Sequence, residues 1–228
     1  MKKQLLMGTL AAAVMAGAAV PAFADDGLSA YAGAASMYLW RGTDLGSSNP
    51  EVFGDLNYSL AGFYGDAWIS SGNFSEYDLS LGYKVTVSDI GLDIGAVNYN
   101  YSGTSKSGMS TLGDATEAYV KVSAMGATLS YYNAVSTTED ATYIYGNNDA
   151  GLTQGGSYTS LSYALGQFTG LVGHVNNKQG ANDYTHIDLT YAYNDKLSFT
   201  ASQIVDQTDG AGIDDSTKFV VSYSFPMK

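Results

Sequence analysis

Two histidines, His174 and His186, are all the imidazole this chain carries, and it has no cysteine. A three-histidine metal site, a thiolate zinc site, a disulfide framework and a cysteine nucleophile are therefore outside its chemistry. His186 stands two residues before Asp188, so in a strand both would share one face and the carboxylate could orient the ring. A serine hydrolase also needs a serine within hydrogen-bond reach of that base. No Gly-x-Ser-x-Gly elbow is present, and no serine is tied to either histidine by local spacing. Asp206, Asp209, Asp214 and Asp215 cluster near glycines, and Glu139 adjoins Asp140. Calcium takes several such oxygen ligands, yet the EF-hand spacing is missing, and acidic loops are ordinarily just solvated. The other charges of interest are spread singly: Asp55, Asp66, Asp78, Lys84, Glu117, Lys121 and Asp188, with Arg41 upstream. Groups spaced this way act through their field on a passing ion, with carboxylates favouring cations. No cofactor is expected.

What must hold these residues is a β protein. The chain has 228 residues with 27 Gly, 19 Tyr, 8 Phe and only 3 Pro, a mix rich in sheet formers. Lys2 and Lys3, the apolar run Leu5 to Val20, and Ala22-Phe23-Ala24 before Asp25-Asp26 read as an export signal over 1–24. Residues 25–228 then form one domain. Loss of the two signal lysines takes the formal charge from −12 to −14, which excludes a nucleic-acid partner. No later apolar stretch approaches the roughly 20 residues of a membrane-spanning helix. If the chain enters a bilayer, it must do so as a closed barrel, because only closure satisfies every backbone hydrogen bond in lipid.

Period-2 alternation supports that form. From Tyr77 to Val87 every odd position is apolar or aromatic and every even one polar or glycine; 117–124, 185–193 and 218–225 behave alike. About twelve strands are expected, near 28–40, 51–60, 63–71, 76–87, 90–101, 115–124, 127–136, 157–165, 168–176, 183–193, 197–206 and 217–226. The phase is ambiguous in the first and in 168–176, and a slip is expected near Ala96-Val97. Tight turns at 60–62, 88–89, 125–126, 166–167 and 194–196 alternate with longer links at 41–50, 72–75, 102–114, 137–156, 177–182 and 207–216. Short periplasmic turns and longer outside loops are the layout of an outer-membrane barrel, and an even strand number puts both termini in the periplasm. The loop 137–156, the longest, could fold inward or project outward. A soluble barrel also alternates. Against it stand the mid-strand charges, which suit a wet lumen, and Tyr58, Phe63, Phe168, Tyr191, Tyr193, Tyr223 and Phe225 beside the short turns, which suit an interfacial girdle.

Tyr38-Leu39-Trp40-Arg41-Gly42 and Gly62-Phe63-Tyr64-Gly65-Asp66-Ala67-Trp68-Ile69-Ser70 resemble the opening of the TorF family of Gram-negative porins. Glu76 to Tyr83, Gly91 to Tyr101 and Glu117-Ala118-Tyr119-Val120 resemble strands that follow in that family. The likeness is good over 36–135 and architectural beyond. It implies an outer-membrane location and a passive pore without enzymatic activity. Many outer-membrane barrels end on an aromatic residue; here Phe225 is followed by Pro226-Met227-Lys228, a departure from that ending.

The expectation is thus an all-β protein: one antiparallel transmembrane barrel serving as a narrow, weakly cation-preferring porin for ions or small solutes. Arg41, Asp55, Asp66, Asp78, Lys84, Glu117, Lys121 and Asp188 are its candidate pore-lining residues. Its expected partners are outer-membrane lipid and lipopolysaccharide, the solutes, and the barrel-assembly machinery. A plugged structural barrel, a loop-binding protein and, last, an outer-membrane hydrolase are the other readings.

Overall fold

The computed structural model describes residues 26–71, 75–102, 115–137, 155–177 and 182–227. The proposed signal and most of the loop 137–156, with Glu139 and Asp140, lie outside them. The strands in chain order are β1 (Gly27–Ala35), β2 (Leu39–Trp40), β3 (Thr43–Asp44), β4 (Glu51–Leu60), β5 (Phe63–Ser70), β6 (Ser75–Val87), β7 (Ile90–Ser102) and β8 (Ala115–Ala124). They continue with β9 (Ala127–Thr137), β10 (Ser157–Leu165), β11 (Phe168–Asn176), β12 (Tyr184–Ala192), β13 (Leu197–Gln207) and β14 (Lys218–Met227). Twelve of these form a closed antiparallel barrel in which neighbours follow chain order, with β1 pairing both β4 and β14. The short β2–β3 hairpin is a separate two-stranded sheet.

Alternation decides which residues face out. Leu28 is 70% exposed, Leu81 72% and Phe219 72%, whereas Asn57, Glu117 and His186, in the opposite phase, are at most 1% exposed. Each barrel strand contributes at least one large apolar side chain to the outside. A continuous apolar exterior around a polar interior is the inverse of a water-soluble barrel, and lipid is the solvent that accepts it. The outward rings near the short-turn end contact in pairs, Phe63 with Tyr83 at 4.7 Å and Phe168 with Tyr191 at 5.0 Å between centroids. They sit where a girdle meets the interface.

The tight turns follow from backbone sign. Ala61-Gly62 and Met125-Gly126 both have positive φ at the two central residues, the signature of a type I′ hairpin. At Ser88 and Gly166 only the first central residue does, as in type II′. These turns gather at one end together with the start of β1 and the end of β14, so both chain ends of the barrel lie there.

Two expectations need correction. The first strand does not run to residue 40. It stops at Ala35, where the Ser36 amide donates to the Val221 carbonyl and the Ser36 hydroxyl accepts from the Val221 amide. Tyr38, Leu39 and Trp40 look like strand continuation because they are apolar, but they are buried inside the barrel. Nor does β7 slip. Its register is unbroken against β6 from Ser102 to Ile90 and against β8 from Tyr99 to Gly91. The hydropathy changes phase because Val97 and Tyr99 face inward and pack there, while Ile90, Leu92 and Ile94 face lipid. The irregularities lie elsewhere, between Thr116 and Glu117 and between Thr185 and His186.

Glycine marks where the inner face is tightest. A Cβ on Gly95 would lie 2.6 Å from the Leu81 carbonyl oxygen and from the Tyr119 hydroxyl, whereas nothing lies within 4 Å of one on Gly170. Gly95→Ala is expected to lower barrel stability by about 1–3 kcal/mol. Gly170→Ala should stay within roughly 0.5 kcal/mol of the parent. Urea midpoints of the detergent-folded barrel, followed by the gel shift on boiling, measure both.

Candidate functional site

The lumen at the end of the long links is filled by the connection between β1 and β4. Within it β2 and β3 pair Leu39 with Asp44 and Trp40 with Thr43, leaving Arg41 and Gly42 as the two turn residues. Their φ values are +47° and +80°. The Arg-Gly pair is thus the tip of a type I′ hairpin, a conformation that costs a non-glycine residue such as Arg41 of order 1 kcal/mol or more. Gly42 is required twice over, by its φ and because a Cβ there would lie 2.6 Å from the His186 Cβ.

Arg41 points from this tip to the far wall. Its Nη1 and Nη2 donate to Glu117 Oε1 and Oε2 at 3.0 and 2.6 Å, a bidentate pair with both side chains almost wholly buried. Glu117 Oε2 also accepts from the Tyr99 hydroxyl at 2.8 Å. The guanidinium carbon lies 4.4 Å from the Trp40 ring centroid, 4.4 Å from that of Tyr158 and 5.3 Å from that of Tyr132. Desolvated cation–π contacts of this kind contribute about 2 kcal/mol each at best. Around the hairpin, Tyr38 packs on Trp68 and Trp40 on Tyr99, both at 5.9 Å between centroids.

Beneath Gly42 sits a polar relay. His186 Nδ1 is 3.0 Å from Asp188 Oδ1, and His186 Nε2 is 3.0 Å from the Tyr158 hydroxyl. With Nδ1–H donating to the carboxylate, Nε2 is left as the ring's acceptor for the Tyr158 hydroxyl. His186 and Asp188 do share a face, as their spacing suggests, but what meets the ring at Nε2 is the hydroxyl of Tyr158, which is itself hydrogen-bonded to the buried Ser160. His174 is on the opposite, outer face, its Nδ1 3.0 Å from the Thr185 hydroxyl. The two histidines therefore belong to different surfaces.

Nearer the short turns, Lys84 Nζ lies 3.9 Å from Asp93 Oδ2 and 4.4 Å from the Tyr64 centroid, and Lys121 Nζ lies 4.8 Å from the Tyr119 centroid. Tyr64 and Tyr119 share a short hydroxyl contact, and Tyr64 reaches Asp93 at 2.8 Å. Glu51, Asp55, Asp66, Glu76 and Asp78 occupy the inner faces of β4, β5 and β6. Among the described residues, none of the five has a Lys, Arg or His nitrogen within 4.0 Å. All eight sequence candidates thus face the interior, but in different states. Arg41 and Glu117 are locked together, Asp188 holds an imidazole, Asp78 is 2% exposed, and Asp55, Asp66, Lys84 and Lys121 remain partly accessible. Glu51, Glu76 and Tyr158 were not among the candidates; the strand alternation of 51–60 and 76–87 already marks the two acids as inward.

In the acidic link after β13, Asp214 serves its own loop. It accepts from the Ser216 hydroxyl at 2.9 Å and the Ser216 amide at 3.0 Å, and Lys218 lies 3.5 Å away. The Ser216 bonds, aided by Lys218, hold its carboxyl below the usual carboxylate range. Among the described residues no group of three or more His, Asp or Glu is placed to hold a metal ion. From the tip geometry, Gly42→Ala is expected to unseat the hairpin, making the bond after Arg41, now buried, open to trypsin in proteoliposomes. Wild-type protein should resist under the same conditions.

No curated protein matches the chain. Among solved structures it is similar to outer membrane phospholipase A from Escherichia coli, with 12% identity over 88% of this chain and 90% of that one, TM-score 0.46. It is similar also to the KdgM porin, 9% identical over 88% and 99% at TM-score 0.46. A third likeness is to the outer membrane protein OpdK from Pseudomonas aeruginosa, 14% identical over 78% and 58% at TM-score 0.40. Residues 19–219 match the family model described as "Bacterial protein of unknown function (Gcw_chp)", and the chain belongs to that family.

Proposed function

We propose that the protein is an outer-membrane channel that passes small ions or solutes passively, prefers cations and carries no catalysis of its own. The observation that carries this reading is the asymmetry of the inner face. Five carboxylates on three adjacent strands lack an ion-pair partner among the described residues, whereas Arg41 and Lys84 face Glu117 and Asp93. A cation moving along β4 to β6 meets more carboxyl groups than bases, Asp55 and Asp66 being the accessible ones with Lys84 acting on both, while Lys121 lies over the Tyr119 and Tyr132 rings. The apolar exterior, the barrel ends gathered beside the short turns and the export signal read from 1–24 all favour insertion from the periplasm. The resemblance of 38–42 and 62–70 to the TorF porins points the same way. Outer-membrane lipid, lipopolysaccharide and the assembly machinery are the partners this reading implies. One observation favours the second reading, a structural barrel without transport: the upper lumen is occupied.

Reversal potentials of the refolded protein in a planar bilayer under a salt gradient test the proposal. The expected sign is that of cation preference. Replacing Asp55, Asp66 and Asp78 together by Asn should move the reversal potential toward zero. An unchanged potential would remove these acids from selectivity. A folded, heat-modifiable barrel that never conducts would favour the structural reading.

A further inference from the structure

We infer that the connection between β1 and β4, residues 36–50, is a gate, with the Arg41–Glu117 pair as its latch; this rests on the channel reading above. The connection is far longer than its topology demands. Ala35 and Glu51 are direct cross-strand partners, a junction two residues can make. Instead the chain turns into the lumen, burying Tyr38 to Thr43, and returns through the exposed residues 47–50.

Three features distinguish this insert from an inert filler. First, its tip is held by polar and charged groups: Glu117, Tyr99, Tyr158 and the imidazole of His186. A buried ion pair adds little net stability compared with apolar packing, because both charges give up water, and in an open lumen each would regain it. Such a seat can be left. Secondly, Arg41 is in a left-handed conformation, and strain of this kind persists where surrounding contacts impose it and is released when they part. Thirdly, the two irregularities in the barrel ladder fall immediately before Glu117 and before His186, the two wall residues that receive the tip. In each the extra residue lies on the neighbouring strand, Val135 of β9 and Val205 of β13, so Glu117 and His186 keep the inward phase of their own strands while the ladder beside them is locally disrupted. Glu117 on β8 and His186 on β12 stand four strands apart, so the tip bridges the lumen between them.

The test is single-channel recording on three folded barrels: wild type, Glu117→Gln, and a chain in which 36–50 is replaced by Asn-Gly. Boiling-dependent gel mobility verifies folding of each. The Asn-Gly barrel should show a unitary conductance several-fold above wild type, or conduct where wild type is silent. Glu117→Gln should keep the wild-type open level while raising the time spent open by roughly tenfold or more. If the shortened chain does not fold, the Glu117→Gln open time decides alone. Wild-type-like conductance and open time in the variants would overturn the gate while leaving the channel standing. Silence of all three folded barrels would overturn the channel and the gate with it.

Discussion

Hydrogen bonds between β1 and β14 turn a twelve-stranded sheet into a barrel, and the rest of the molecule depends on that seam. In lipid an unpaired strand edge would leave a row of amides and carbonyls without partners, each costing several kcal/mol. Once the seam is made, the wall satisfies itself, and side chains no longer have to build a core to hold the fold. The outside is then free to be uniformly apolar and the inside to carry charge. Few soluble folds could keep so many carboxylates on one inner surface.

The freedom of the inner face is used unevenly. At the long-link end a hairpin with Tyr38, Leu39 and Trp40 imports a small apolar cluster and sets one arginine in its midst. Toward the short turns the interior stays polar, with lysines of β6 and β8 laid over tyrosine rings and Asp55, Asp66 and Asp93 on the nearby strands β4, β5 and β7. The cross-section is therefore not uniform: filled and ionically fastened above, charged and partly accessible below. This gradation, more than strand number, sets what the barrel can pass.

Much of this was legible in the chain. Period-2 alternation at 77–87 and 218–225 marks lipid-facing and inward residues correctly, and the alternation of short and long connections gives the layout. Asp55, Asp66 and Lys84 are inward because their neighbours on each side are apolar. What alternation could not tell is where an apolar run leaves the wall. Tyr38-Leu39-Trp40 carries strand-forming residues, and only the Ser36–Val221 contacts, made across the barrel seam, show that the strand has ended. The Arg41–Glu117 pair was equally hidden. Both residues were visible as candidates, but their meeting depends on a hairpin folding inward, and no local spacing encodes a contact between residues so distant in the chain. Likewise the change of phase at Val97 reflects what lies across the lumen from it.

The close fit of Gly42 against His186 has a consequence for how such sequences can vary. A side chain at 42 and an imidazole at 186 cannot coexist with the tip in its seat, because the first atom of one would fall inside the other. Sequences that retain the seated hairpin can gain a side chain at 42 only if residue 186 also gives up its Cβ, as glycine does, and left-handed strain is tolerated. The two positions should therefore covary among descendants of this chain, a long-range signature of the inward fold written in inheritance.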